Sequence, residues 1–123
     1  MGDNNVATDE TDRLIASNKV ERTAVYDRDG NKLGSVYNFM VDKRSGKAEY
    51  AVLSFGGFLG IGDEYSPLPW DQLTYDTDKG GYVVNLTKEQ LQGGPRYRSD
   101  EEPTWNGDYG RQVFRYYGSS YNY

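Results

Sequence analysis

The chain has 123 residues, 14 Lys and Arg against 19 Asp and Glu for a net charge of −5, and neither cysteine nor histidine. Without Cys there is no disulfide, thiolate nucleophile or Cys-based zinc site. Without His the commonest general base, transition-metal ligand and catalytic-triad partner are missing. The length suits one small domain with tails, the acidity disfavours direct nucleic-acid binding, and no apolar run approaches the ~20 residues of a membrane span.

Residues 1–12, MGDNNVATDETD, are polar and acidic and are expected to be a disordered tail. They lack the basic and apolar regions of a secretory leader, and Val6 stands where a myristoylation motif needs Ser or Thr, so a cytoplasmic location is expected. RLIASNKV (13–20) reads as a docking segment leading into a strand. Thr23, Val25 and Tyr26 favour that strand, and Asp29-Gly30-Asn31 turns it into a hairpin. The return strand runs from about Leu33 to Val41. Strict alternation places Tyr37, Phe39 and Val41 on one face and Val36, Asn38 and Met40 on the other. Ser45-Gly46 centres a second turn.

The third strand, KAEYAVLSF, is apolar on both faces, with Ala51, Leu53 and Phe55 on one and Ala48, Tyr50 and Val52 on the other. A strand with one wet face should alternate, so its second face needs a cover, from this chain's C-terminal segment or from another subunit. Next come four glycines, Gly56, Gly57, Gly60 and Gly62, around Phe58, Leu59 and Ile61. Phosphate-cradling loops need a following helix or a Lys with Ser or Thr. Here Asp63 and Glu64 follow, then Pro67 and Pro69, so the stretch reads as a wide bend with an apolar tip. The two prolines place the next strand at an edge or a bend. A third turn at 76–81 leads to GYVVNL, and Thr87 with Gln90 predicts a capped helical turn stopped by Gly93-Gly94. In the tail, Asn106 caps and Gly118 stops a short helix from Asp108 to Tyr117, with Tyr109, Val113 and Tyr116 or Tyr117 on one face. SSYNY reads as loose.

Sites of catalysis, cofactor binding and metal binding are all read as absent. DRDGN (27–31) resembles the start of a calcium loop, but its twelfth position is Asn38 rather than Glu, and DTDKGG (76–81) is equally incomplete, so hairpin turns explain both. Lys43, Arg44 and Lys47 read as a solvated turn. The tyrosines of the strand region read as packing, and those of the tail, beside Arg111 and Arg115, as rings laid over a protein surface.

From Leu14 to Tyr97 the chain resembles the PRC-barrel family, through VYDRDGNKLGSV, DKRSGKAEYAVLSFGGFLGIGDEYSPLPWDQL, GYVVNLTKEQL and GGPRY. The stretch from Gly46 to Leu73 is the most specific. The tail around WNGDYGRQVFRYYG looks like an extension of stand-alone bacterial members. The resemblance implies an all-β fold, a small strongly bent antiparallel barrel with a short helical turn and a C-terminal helical extension. It also implies a protein-interaction module, as in the cytoplasmic domain of the H subunit of photosynthetic reaction centres and the C-terminal domain of a ribosome maturation factor. The transmembrane helix of the former and the companion domain of the latter have no counterpart in the sequence.

The expected organisation is an acidic tail at 1–12, the barrel domain at 13–97 and the extension at 98–123. The expected function is a non-catalytic module that self-associates as a homodimer and binds an unidentified protein partner. Its candidate contact residues are Tyr50, Phe55, Phe58, Leu59, Ile61 and Trp70. The alternatives are a ribosome- or RNA-processing-associated adaptor and an assembly factor for a reaction-centre-like or other membrane complex.

Overall fold

The computed structural model describes residues 14–55 and 64–122. A helical turn, α1 (Ser17–Val20), precedes strands β1 (Ala24–Tyr26), β2 (Lys32–Val41), β3 (Ala48–Ser54) and β4 (Glu64–Pro69). A 3₁₀ turn (Trp70–Gln72) leads to β5 (Thr74–Asp76) and β6 (Gly81–Val83), then α2 (Lys88–Gly93), β7 (Tyr97–Arg98) and α3 (Gly107–Tyr116). The strands form one seven-stranded sheet in the order β5-β6-β1-β2-β3-β4-β7. Neighbours are antiparallel except β1 and β6, which pair in parallel through Val25 with Tyr82 and Tyr26 with Val83. The expected all-antiparallel sheet is therefore broken between its second and third strands.

Three of the hairpin turns use one device. Asp27 accepts the N–H groups of Asp29 and Asn31 (both 2.9 Å), Asp42 those of Arg44 and Ser45 (both 2.8 Å), and Asp76 those of Asp78 and Lys79 (2.9 and 3.2 Å). Each turn closes on a glycine in the left-handed region, Gly30, Gly46 and Gly80, at φ of 87°, 78° and 64°. Such a side-chain acceptor satisfies the N–H groups that the turn takes out of the ladder. Asp27 of DRDGN and Asp76 of DTDKGG are thus engaged by their own turns. Thr87 and Gln90 form the reciprocal cap on α2, with bonds of 3.0 and 2.7 Å.

Strand β2 departs from strict alternation. Its register with β3 pairs Val36 with Leu53 and Asn38 with Val52, so Tyr37 is an extra residue, a bulge. Directly opposed residues share a face. Val36, Leu53 and Ser66 therefore face one side together with Phe39, Ala51 and Leu68, while Asn38, Val52 and Pro67 face the other with Met40, Tyr50 and Pro69. Val36 and Phe39 share a side only because the bulge takes up one step. Tyr37, assigned by alternation to the side of Phe39, instead stacks on Tyr65 with ring centroids 4.2 Å apart.

The buried core gathers Val25, Leu33, Val36, Leu53, Leu68, Tyr82, Val84 and Leu91, with Val20 of α1 and Phe55. Beyond Tyr65, β4 pairs only with β3, which places Pro67 and Pro69 where no second ladder needs their missing N–H.

Candidate interaction surface

Of the six residues singled out in the sequence, three fall in the protein's own packing. Tyr50 is 4% exposed and Phe55 7% exposed. Trp70 is half-buried, against Phe39 (5.7 Å between centroids) and Tyr82 (5.8 Å). Phe58, Leu59 and Ile61 lie outside the described residues, as does the acidic tail.

The cover for the second face of β3 comes from this chain. Helix α3 begins at Asn106, whose side chain accepts the Tyr109 N–H (3.0 Å), and ends before Gly118 in the left-handed region (φ 73°). It buries Gly110, Val113 and Phe114, and Tyr117 just past its end is buried too. Tyr50 meets Trp105 and Phe114 edge-on, with centroids 5.2 and 5.6 Å apart. Tyr97 and Tyr109 meet Trp105 at 5.9 and 5.6 Å. β3 is therefore buried on both sides without a second chain.

The segment that follows α3 is fastened through Ser119 and Tyr121 rather than loose. The Gln72 amide donates to the Ser119 hydroxyl (2.8 Å) and the Tyr117 carbonyl (3.2 Å), the Ser119 hydroxyl donates to Asp71 (2.9 Å), and the Tyr116 hydroxyl donates to the Gln90 carbonyl (2.8 Å). Tyr121 lies against Phe114 and over Gly110, where a Cβ would fall 2.4 Å from its ring. Tyr116 stays 45% exposed, so the packed face of α3 uses Phe114 and Tyr117 rather than Tyr116.

The displaced titrations belong to this packing and to the turns. Burial raises the phenol pKa values of Tyr50, Tyr97 and Tyr117, and pushes that of Tyr109 up to about 12. Backbone N–H groups hold the Asp27 and Asp42 carboxyls below their ordinary range. Partial burial, helped by the charge of Asp42, raises Glu49. Among the described residues no group of three acidic side chains could hold a metal ion. Lys43, Arg44 and Lys47 are exposed on their turn.

The large apolar side chains that stay open on β2 are Tyr37 and Val41, 47% and 43% exposed. Tyr37 rests on Tyr65, which in turn meets Tyr97 at 5.7 Å beside the Arg96–Glu64 ion pair (3.4 Å). Strict alternation does not reveal this pair, because the pair depends on the bulge. No helix of the described residues is long and apolar enough to cross a membrane.

The family model of the PRC-barrel domain matches residues 12–91, a span that holds β1 to β6 and stops short of β7 and α3. A protein of Deinococcus radiodurans, described as uncharacterized, is 28% identical over 78 residues that cover 63% of this chain. The match takes in 27% of that relative, so the chain corresponds to about a quarter of its length. With a core of β1 to β6 that coincides with the matched span, the chain belongs to the PRC-barrel domain family.

Proposed function

We propose that the protein is a non-catalytic protein-interaction module that self-associates as a homodimer through the β2 surface around Tyr37. The observation that carries this reading is the 47% exposure of Tyr37, when the aromatic layer beside it packs under α3. A two-fold pair is the commonest way to cover one such patch twice. The non-catalytic reading is supported by the use already made of most displaced groups: Asp27 and Asp42 serve their turns, the raised tyrosines sit in packing, and Glu49 is left as a single half-buried carboxyl. The reading takes the sheet as the strongly bent barrel implied by the family, and places the protein in the cytoplasm. The need to cover β3 no longer argues for a second chain, because α3 meets it.

Light scattering over a range of concentrations is the test. The dimer appears as a doubling of mass, and Tyr37→Asp shifts it to higher concentration, because an unpaired carboxylate in a contact is costly. A single-chain mass throughout removes self-association. A dimer that ignores Tyr37→Asp but yields to Phe58→Asp moves the contact to the glycine-rich segment.

A further inference from the structure

We infer that Tyr37 and Tyr65 form a site of oxidative coupling, in which a one-electron oxidant joins the two phenols into a dityrosine that ties β2 to β4 across β3. The two rings lie 4.2 Å apart at 22°, whereas the Tyr65–Tyr97, Tyr75–Tyr82 and Tyr116–Tyr117 pairs meet at 52°, 75° and 84°. Face-to-face overlap is what two phenoxyl radicals need to bond through their ortho carbons, and tilted or edge-on rings do not offer it. Tyr37 is 47% exposed and thus within reach of a dissolved oxidant, while Tyr65 is half-buried and held in place by β3 and β7.

The surroundings channel oxidation to this pair. The chain has no cysteine, the residue that most readily takes up oxidising equivalents, and its two methionines are Met1 and half-buried Met40. Rings continue inward from Tyr65 to Tyr97 (5.7 Å) and from Tyr97 to Trp105 (5.9 Å), so an electron hole formed in the buried layer has a contiguous path to the exposed pair. In the coupling step each phenol gives one electron to the oxidant and its hydroxyl proton to water. The two radicals combine in one carbon–carbon bond. Each ring then returns to aromaticity as its ortho hydrogen moves to the phenol oxygen. Two equivalents of oxidant are each reduced by one electron, and the protein loses two hydrogens. Preorganisation replaces a chance encounter with a neighbour already in contact, which favours the intramolecular product.

The full-length protein is photolysed with a ruthenium trisbipyridyl complex and persulfate, at a concentration where light scattering gives one chain. Dityrosine fluorescence should rise in the single-chain band. Trypsin should release a species joining residues 33–43, whose one tyrosine is Tyr37, to residues 48–79, lighter by two hydrogens than the sum of the two peptides. Tyr37→Phe and Tyr65→Phe keep the rings but remove the phenols, and each should abolish it, whereas Tyr75→Phe should leave it intact. Unfolding in urea before photolysis should disperse the cross-links over other tyrosines. Absence of dityrosine in the folded protein, persistence in Tyr37→Phe, or cross-links only between chains would overturn the inference.

Discussion

Replacing Phe114 by alanine tests whether α3 and the sheet share one core. Phe114 is 3% exposed and lies edge-on to Tyr50 (5.6 Å, 83°) and Tyr121 (5.1 Å, 70°). Truncating a buried phenylalanine costs about 3–5 kcal/mol, of which each edge-on ring pair accounts for about 0.5–1.5 kcal/mol. A small domain is stable by only about 5–15 kcal/mol, so the variant gives up a large fraction of the total. With a urea m-value of about 1–3 kcal/mol/M, its midpoint should fall by more than about 1 M with the slope unchanged. Gln112→Ala, on the exposed side of the same helix, should stay within about 0.5 kcal/mol of the parent. Urea titration followed by both tryptophan fluorescence and circular dichroism reads the result. Equal midpoints for the two variants would refute the shared core. So would an early, shallow transition followed by the parental one, because that is how an extension melting by itself would look.

Three other perturbations bear on the local devices. Thr87→Ala removes the reciprocal cap of α2 and should cost about 1 kcal/mol in the same titration. Gly46→Ala meets open space but keeps φ at 78°, so it should cost about 1–2 kcal/mol. Gly94→Ala puts a Cβ 2.5 Å from the Tyr117 hydroxyl and 2.9 Å from the Tyr116 ring, so it should also loosen the segment that follows α3, read as faster amide exchange at Ser119. The turn carboxyls give a pH signature. Asp27 and Asp42 have folded-state pKa values below the ordinary 3.8, so their stabilising effect is full well above that value and is lost as pH falls through it toward the folded values. The gap in thermal midpoint between the parent and the Asp27→Asn/Asp42→Asn double variant should therefore close on acidification; a constant gap would mean that the carboxylate charge is irrelevant to the turns.

Much of the fold is legible in residue types with fixed local chemistry. The Asp and Gly residues of the hairpins, the Thr87 and Gln90 cap, and Asn106 and Gly118 around α3 each settle a boundary from within a few positions. The need for a cover over β3 is also readable, in Tyr50, Ala51, Val52 and Leu53. What escapes is decided at long range. The bulge at Tyr37 carries no sequence mark and reverses the sides assigned to its neighbours. The parallel pairing of β1 with β6 and the two-residue β7 depend on partners far along the chain. The helical period alone does not single out Phe114 and Tyr121, because their places follow from Tyr50 and Gly110. For the candidate surface the same limit applies: apolar character marks Tyr50 as a contact residue, and only the placement of α3 assigns it to the interior.

The parallel contact between β1 and β6 also sets an order of events during synthesis. Strands β2, β3 and β4 can zip onto one another as hairpins while the chain emerges, but β1 lacks its second neighbour until Gly81–Val83 has left the ribosome. Pairing across so long a separation is slow, because loop closure precedes any gain from contact. Until then the backbone edge of β1 is open, and the apolar outer side of β3 stays wet until Phe114 has emerged as well. The nascent chain thus passes through a window with both an unpaired edge and an uncovered apolar strand, the combination that exposes partly folded proteins to aggregation. A chaperone acting on this protein would have its task between the emergence of β3 and the docking of α3.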